Sequence, residues 1–179
     1  TSEVAVISLG GIVAWASLRV AGNKFDQAII DYVKRKYSLS IGEQTAEAVK
    51  IQIGAALPSK EKLEYQIRGR DLVYGLPRDI VLNSNEIAES LNPLLIEIAT
   101  TVQNVFNSTP PELVADIMEQ GILVSGGGGH LRGIDDFFKR MTGVETYIAE
   151  EPLFCVAKGA GLILNHLDVY KRTLLNKRF

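Results

Sequence analysis

The amino-acid sequence predicts an α/β protein in which one lobe is inserted into another, and three observations support this prediction. Apolar and alternating segments typical of strands lie near both ends of the chain, at residues 3–20 and 121–149. The segment between them, residues 22–92, has the pattern of two helices followed by two strands. With 46% apolar residues among 179, the chain can bury a substantial core.

This order of elements divides the chain into lobes. We assign residues 1–21 and 93–158 to the parent lobe, residues 22–92 to the inserted lobe, and residues 159–179 to a C-terminal helical region. Strand-like sequence begins at once with Thr1, and no methionine precedes it. Because the hydrogen-bonding partners of such a strand would have to come from elsewhere, we expect the chain to be a fragment of a longer protein.

The chain opens with a predicted hairpin and a helix. Residues 3–9 and 12–20 flank Gly10 and Gly11, and a two-residue glycine turn between apolar runs is typical of antiparallel strands. The helical spacing of the next apolar residues predicts an amphipathic helix over residues 24–37.

A second helix is expected to begin with a capping box, because Ser40 precedes Glu43 by three residues, and to continue through about Gly54. Two strands and a turn should follow. Glycines and a proline make the connection between these strands a long irregular turn. The strands are expected at residues 63–67 and 79–82, and the turn at residues 68–78.

The parent lobe resumes with a long helix that Asn83 or Ser84 should cap. Because Pro93 lies within it, we expect a kink or a restart of the helix there. A capped helix with Pro111 in its first turn should follow Thr109. The remaining predicted elements are a strand at 121–125, a helix at 131–141, a strand at 145–149 and a helical region from 152 onward.

Composition argues against several classes of protein. A net charge of −2 disfavours a nucleic-acid-binding protein, and no apolar run approaches the roughly 18 residues needed to span a bilayer. The single cysteine, Cys155, lies among apolar residues. We therefore expect a buried packing cysteine in a reducing, cytosolic compartment rather than a nucleophile.

The most informative motif is a run of four glycines, Gly126 to Gly129, directly after the predicted strand at 121–125. A strand that ends in glycines before a helix exposes backbone N–H groups with no side chain in front of them. A flat or anionic ligand can lie against such a backbone, which is the outline of a nucleotide site. Glycine clusters also occur in ordinary turns, so a purely structural role is the alternative.

Several segments together resemble the MreB family of bacterial, rod-shape-determining actin homologues. They are residues 1–13, 68–72, 109–117 and 149–153, and the resemblance extends over essentially the whole chain. It implies the second half of the actin-like ATPase fold: a ribonuclease H-like subdomain IIA, an inserted subdomain IIB, and a C-terminal region that returns to subdomain IA. The first half, with a phosphate-binding loop and any membrane-binding helix, would lie outside this chain.

The resemblance also implies a set of nucleotide-binding residues. Glycines 126–129 match the adenosine motif, although Gly129 stands where alanine is usual, and Gly22 matches the glycine that approaches the ribose. Thr1 matches a threonine that helps to position the attacking water. The helical segment at the adenine and ribose edge comprises Ala46, Glu47, Ala48, Val49 and Lys50. Each has a plain structural alternative: a turn, a strand terminator, a chain terminus, or an exposed ion pair on one helix face.

The function implied by the resemblance is that of an ATP-binding cytoskeletal protein. ATP or ADP with Mg²⁺ would lie between this half and the missing one, and no metal ligand is assigned within this chain. The complete protein would hydrolyse ATP slowly to ADP and phosphate, whereas the fragment alone should be inactive and bind ATP weakly.

The implied partners are other copies of the protein in a filament, together with the membrane-bound cell-shape and cell-wall machinery. The filaments would lie in the cytoplasm at the inner face of the cell membrane, which the missing half would contact. Two alternatives stay open. A sugar kinase or chaperone-type ATPase of the same fold would need insertions between the core elements, and a nucleotide-independent interaction module would not respond to ATP.

Overall fold

Residues 1–167, the part of the chain that the computed structural model describes, form helices and three small sheets. This confirms the predicted α/β class. An antiparallel pair is formed by β1 (Ser2–Ser8) and β2 (Gly11–Leu18). A second antiparallel sheet has the order β3 (Leu39–Ser40), β4 (Glu64–Asp71) and β5 (Pro77–Asn83), and a parallel pair joins β6 (Ile122–Val124) to β7 (Thr146–Ile148).

Helices cover these sheets. They are α1 (Gly22–Tyr37), α2 (Glu43–Ile53), α3 (Ser84–Asn107), α4 (Pro111–Gln120), α5 (Ile134–Thr142) and α6 (Cys155–Asn165). Short 3-10 turns occupy Gly127–His130 and Pro152–Phe154. Within residues 1–167, no helix is long and apolar enough to cross a membrane. The predicted C-terminal region continues beyond them, so its residues 168–179 lie outside the described part.

The main core lies between α1, α2, α3 and α5, because each presents apolar side chains at helical spacing. Ile29 of α1, Val49 of α2 and Leu91 of α3 have no exposed surface. The 24-residue α3 passes through Pro93 and does not restart there. The proposed boundary between the lobes at residues 92 and 93 therefore falls within this helix, and the division into lobes stays a prediction.

The predicted cap of α3 is confirmed. The Asn83 side chain accepts hydrogen bonds from the backbone N–H groups of Asn85 and Glu86, and the Glu86 carboxylate accepts one from the Asn83 backbone. The capping box predicted for α2 is wrong. Ser40 pairs with Arg70 across β3 and β4, and α2 begins after Gly42 without a side-chain cap.

Two predicted turns differ from the observed ones. The first hairpin turns at Leu9 and Gly10, both with positive φ, while Gly11 already belongs to β2. The second turn is shorter than predicted, at residues 72–76. Asp71 organises this turn, because its carboxylate accepts hydrogen bonds from the backbone N–H groups of Val73 and Tyr74.

Two further expectations fail near the end of the described region. The helix predicted from residue 131 begins only at Ile134, because Gly133 adopts a left-handed conformation with φ of 70°. Cys155 is partly exposed rather than buried, and its neighbours Phe154 and Val156 are 55% and 80% exposed. Within residues 1–167, the apolar neighbours of Cys155 therefore do not bury its side chain.

Candidate functional site

A cavity of about 1170 Å³ is lined by β1 and β6. Residues 1–8 line one side, and residues 122–128 line the other. Apolar side chains of α3 and α5 also contribute, among them Leu95 and Phe138. Among the described residues β1 pairs with β2 and β6 with β7, and no hydrogen-bonded ladder joins β1 to β6, so each of these strands has an unpaired edge.

The cavity brings together most of the residues predicted from the sequence. These are Thr1, Gly22, Glu47, Lys50, Gly126, Gly127 and Gly128. They come from the start of the chain, from α1, from α2 and from the loop after β6. A set of residues so distant in sequence meets in one cavity only because the fold places them there.

The other predicted residues do not line this cavity. Ala46 and Val49 have no exposed surface and belong to the main core. Ala48 is half-buried on another side of α2. Gly129 is buried, and a Cβ atom there would lie 3.4 Å from both Ile148 and Pro152. These four residues therefore do not form the surface of the cavity.

The glycine run forms a 3-10 turn between β6 and α5. Gly126 has a φ of 84°, which favours glycine, and its N–H donates to the Pro152 carbonyl oxygen at 2.7 Å. A Cβ atom at Gly126 or Gly128 would meet no atom within 4 Å, whereas one at Gly127 would lie 3.3 Å from Leu153. The backbone therefore borders open space, which side chains would fill and a flat ligand can use.

Lys50 is held by a residue of α1. Its ammonium nitrogen lies 2.9 Å from Oδ2 of Asp26 in a hydrogen bond and 2.8 Å from Oδ1. The approach to Oδ1 lacks hydrogen-bond geometry, so buried Oδ1 has the ion pair but no hydrogen bond. The same nitrogen is 3.4 Å from the carbonyl oxygen of Gly22. The pairing of Lys50 with Glu47 on one helix face is thus replaced by a link between two helices.

Sequence reasoning did not identify Asp26. It lies one helical turn after Gly22 in α1, but the residue it pairs with is 24 positions away in α2. Spacing within one helix reveals contacts three or four residues apart and says nothing about such a link. The available signal was a single acidic residue close to the predicted ribose glycine.

The described residues do not supply a metal centre. Residues 1–167 contain no group of three or more histidine, cysteine, aspartate or glutamate side chains that could hold a metal ion. Mg²⁺ in nucleotide sites is held largely by phosphates, water and one or two carboxylates. Residues 1–167 therefore offer no ligand set of this kind for Mg²⁺.

A second polar cluster joins α1 to α3. Glu86 is 7% exposed and accepts hydrogen bonds from Lys36 at 2.7 Å and Tyr37 at 2.5 Å. Burial alone would raise the pKa of Glu86, but these bonds and one from Asn83 outweigh it and hold that pKa below its usual value. Burial, together with the bond to Glu86, raises the pKa of Tyr37 to about 12. The polar groups of this cluster form hydrogen bonds with one another, which indicates a structural role.

Comparison with known proteins identifies relatives over nearly the whole chain. The profile of the MreB/Mbl protein family matches residues 1–172. The chain is 46% identical over 177 residues to the cell shape-determining protein MreB of Escherichia coli, covering 99% of this chain and 51% of that protein. It is 44% identical to the cell shape-determining protein Mbl of Bacillus subtilis, covering 94% of this chain and 50% of that protein. The chain thus spans about half the length of these curated relatives.

Solved structures give the same fold. The chain superposes on MreB5 of Spiroplasma citri bound to ADP with a TM-score of 0.89 and 38% identity, over 98% of this chain and 52% of that one. It superposes on MamK in a double helical filament with a TM-score of 0.74 at 21% identity, over 85% of this chain and 46% of that one, which is evidence of fold alone. These superpositions confirm the predicted fold class, one half of an actin-like fold.

Proposed function

Because the chain belongs to the MreB/Mbl family, we propose that it supplies one half of the nucleotide site of an ATP-binding, actin-like cell-shape protein. The observation that carries this proposal is the cavity in which Gly126, Gly127 and Gly128 meet Gly22 and Lys50. The related MreB5 has been solved with ADP and with AMPPNP, which supports a nucleotide as the ligand.

Each group has a chemical role in this proposal. The glycine turn accepts the flat adenosine group, because no side chain occupies the space in front of its backbone. Glu47, an exposed carboxylate on the cavity wall, accepts hydrogen bonds from adenine or ribose. Thr1 contributes a neutral hydroxyl that can help to orient water near the phosphates. Mg²⁺ would neutralise phosphate charge and would be held largely by the phosphates and water.

The proposal extends to assembly in the cell. Copies of the complete protein polymerise into filaments at the cytoplasmic face of the membrane, where they guide cell-wall synthesis. Slow ATP hydrolysis controls the lifetime of these filaments. Two observations support this extension: the curated relatives are named as cell shape-determining proteins, and the fold is shared with a protein solved as a filament.

Calorimetric titration with ATP and Mg²⁺ tests the nucleotide site. The experiment uses a longer protein that contains this chain and has the full length of its relatives, called here the full-length form. Replacing Gly127 by valine should abolish ATP binding, because the branched side chain is forced against Leu153 and into the ligand space. Gly42→Val is the matched control, because a Cβ atom there meets nothing within 4 Å and Gly42 does not line the cavity.

The outcomes separate the candidate functions. Loss of binding in Gly127→Val with a native circular-dichroism spectrum, and retained binding in Gly42→Val, would support the adenosine site. Unchanged ATP binding by a folded Gly127→Val variant would contradict it. No ATP binding by the unmutated full-length form would instead favour an interaction module that does not use nucleotide.

A further inference from the structure

The turn at residues 72–76, between β4 and β5, presents an apolar surface to solvent. Four of its five residues carry large apolar side chains, and their exposed fractions are 43% for Leu72, 71% for Val73, 79% for Tyr74 and 65% for Leu76. Surface turns are normally built from glycine, proline, asparagine, aspartate and serine. Single apolar side chains on a surface need no explanation, but contiguous ones mark a place of contact.

The backbone of this turn is suited to surroundings that offer few hydrogen bonds. All four N–H groups of residues 72–75 are bonded within the chain. The first donates to the Ser38 carbonyl oxygen at 2.8 Å. The next two donate to the Asp71 carboxylate at 2.8 and 3.0 Å, and the fourth donates to the Asp71 carbonyl oxygen at 2.9 Å. Because these groups do not need water, the turn can leave it at a reduced cost in free energy.

The base of the turn is fixed to the end of α1. Asp71 is 3% exposed, and the Arg78 guanidinium donates to its carboxylate at 2.6 Å. The same guanidinium also donates to the Tyr37 carbonyl oxygen. The exposed apolar side chains therefore stand on a turn that has little conformational freedom left to lose when it binds a partner.

The surroundings of the turn are basic, although the whole chain has a net charge of −2. Residues 34–37, at the end of α1, and residues 68–79 together contain six basic and two acidic residues. Both acidic residues pair with arginines of residues 68–79, and Lys36 pairs with Glu86. Three exposed basic residues form no ion pair among residues 1–167: Lys34, Arg35 and Arg70. Positive charge beside an apolar turn complements the negative surface of an anionic bilayer.

We propose that the turn at residues 72–76 enters the headgroup region of an anionic lipid bilayer, with the neighbouring basic side chains on the lipid phosphates. This inference rests on the proposed assembly at the membrane and names a contact for it within this chain. Tyr74 suits that region because its ring is apolar and its hydroxyl is polar. Entry of this kind reaches about 5–10 Å into the boundary between headgroups and acyl chains and does not span the bilayer.

A fluorescent label on the full-length form tests this contact. The environment-sensitive fluorophore NBD is attached to one cysteine, with all other cysteines replaced by serine. Tyr74→Cys places the label on the turn, and Lys62→Cys places it beyond the other end of β4, an eight-residue strand about 26 Å long. Vesicles of equal parts phosphatidylcholine and phosphatidylglycerol should shift the emission of the Tyr74→Cys label to the blue. Phosphatidylcholine vesicles should not, and the Lys62→Cys label should respond to neither.

Vesicle flotation of unlabelled variants measures the affinity without nucleotide. Combined Val73→Ser and Tyr74→Ser substitutions should weaken binding to the anionic vesicles about 10-fold or more, because each buried CH₂ group contributes about 4-fold. Arg70→Gln should weaken it about 5-fold, the contribution of one basic residue near an anionic surface. Val81→Ser is the matched control, since Val81 is 53% exposed on β5 but lies outside the turn. It should leave the affinity unchanged.

The possible results are distinct. An unshifted Tyr74→Cys label on protein that floats with anionic vesicles would overturn the inference and leave the proposed location at the membrane intact. A shift caused by ATP alone, with none on adding vesicles, would assign the turn to a contact between copies of the protein and would also overturn it. Failure of the unmutated full-length form to float would refute the proposed membrane location as well. The label decides the outcome even if the double variant does not fold.

Discussion

Replacing Glu86 by glutamine should destabilise the folded chain by about 2–4 kcal/mol, a range that follows from the hydrogen bonds of this one side chain. Oε1 of Glu86 accepts from Lys36 at 2.7 Å and Tyr37 at 2.5 Å, and Oε2 accepts from the backbone and side chain of Asn83 at 2.9 and 2.7 Å. Glutamine keeps the shape but replaces one acceptor oxygen with an NH₂ donor. An NH₂ group in the Oε2 position would face the two N–H donors of Asn83; in the Oε1 position it would face the Lys36 ammonium, and the Tyr37 hydroxyl would have to turn from donor to acceptor.

The magnitude follows from which bonds are lost. A hydrogen bond to a charged group contributes about 1.5–3 kcal/mol. The Lys36 side chain is 48% exposed, so water screens its share strongly and its contribution is small. The bonds from Tyr37 and Asn83 are better shielded and dominate the total. For a domain of this size, such a loss lowers the melting temperature by roughly 5–15 °C.

Urea unfolding followed by circular dichroism at pH 7 measures this loss. Glu89→Gln is the matched control on the same helix, because Glu89 is exposed and accepts a hydrogen bond from Tyr32 at 3.1 Å. It should change the free energy of unfolding by less than about 1 kcal/mol. A Glu86→Gln variant as stable as Glu89→Gln would refute the assignment of Glu86 as the shared acceptor between α1 and α3.

The effect should depend on pH in a defined direction. The pKa of Glu86 is lower in the folded state, so its stabilising contribution is complete above the unfolded pKa of about 4.3 and is lost as the pH falls through the folded pKa. The difference in free energy of unfolding between the unmutated chain and Glu86→Gln should therefore stay constant between about pH 6 and 8. It should shrink below about pH 4. A difference that grows on acidification would contradict this sign.

Three other predictions follow from the structure. Gly54→Ala should lower the free energy of unfolding in urea by about 2–3 kcal/mol, because the added Cβ atom would collide with the Lys50 carbonyl oxygen. Gly159→Ala, where a Cβ atom meets open space, should be neutral or slightly stabilising. Equal stabilities of the two variants would refute the close approach at Gly54. Asp71→Ala should speed amide hydrogen exchange in the turn at residues 72–76, which its carboxylate organises, and unchanged exchange would contradict that role. The chain alone, which spans about half the length of its relatives, should not polymerise with ATP, because a filament contact needs two complementary surfaces on each subunit. Long filaments in a pelleting assay would show that both surfaces of this contact lie within residues 1–179.

Local signals in the sequence predicted the elements that depend on local interactions. The cap of α3 was predictable because Asn83 and Glu86 satisfy backbone groups within the same turn. The amphipathic α1 was predictable from the spacing of its buried residues. The glycine run indicated a candidate site because successive residues without side chains leave the backbone uncovered, and three of the four, Gly126, Gly127 and Gly128, line the cavity.

The remaining features depend on contacts between distant residues. Ser40 has the pattern of a capping residue, but strand pairing with Arg70 removes it from the helix end. The second hairpin turn is organised by Asp71, which caps its own turn and also pairs with Arg78. The partner of Lys50 could not be found from helical spacing, because it lies on another helix.

Nuclear magnetic resonance titration of the 179-residue chain with ADP tests the central claim most directly, since it detects weak binding and maps it residue by residue. The account predicts saturable shifts at the backbone amides of Gly22, Lys50, Gly126, Gly127 and Gly128, while the polar cluster around Glu86 stays unchanged. Weak binding suffices, since a Kd of about 1 mM corresponds to only about 4 kcal/mol. No saturable shift up to about 10 mM ADP, or shifts confined to residues outside the cavity, would contradict the nucleotide site.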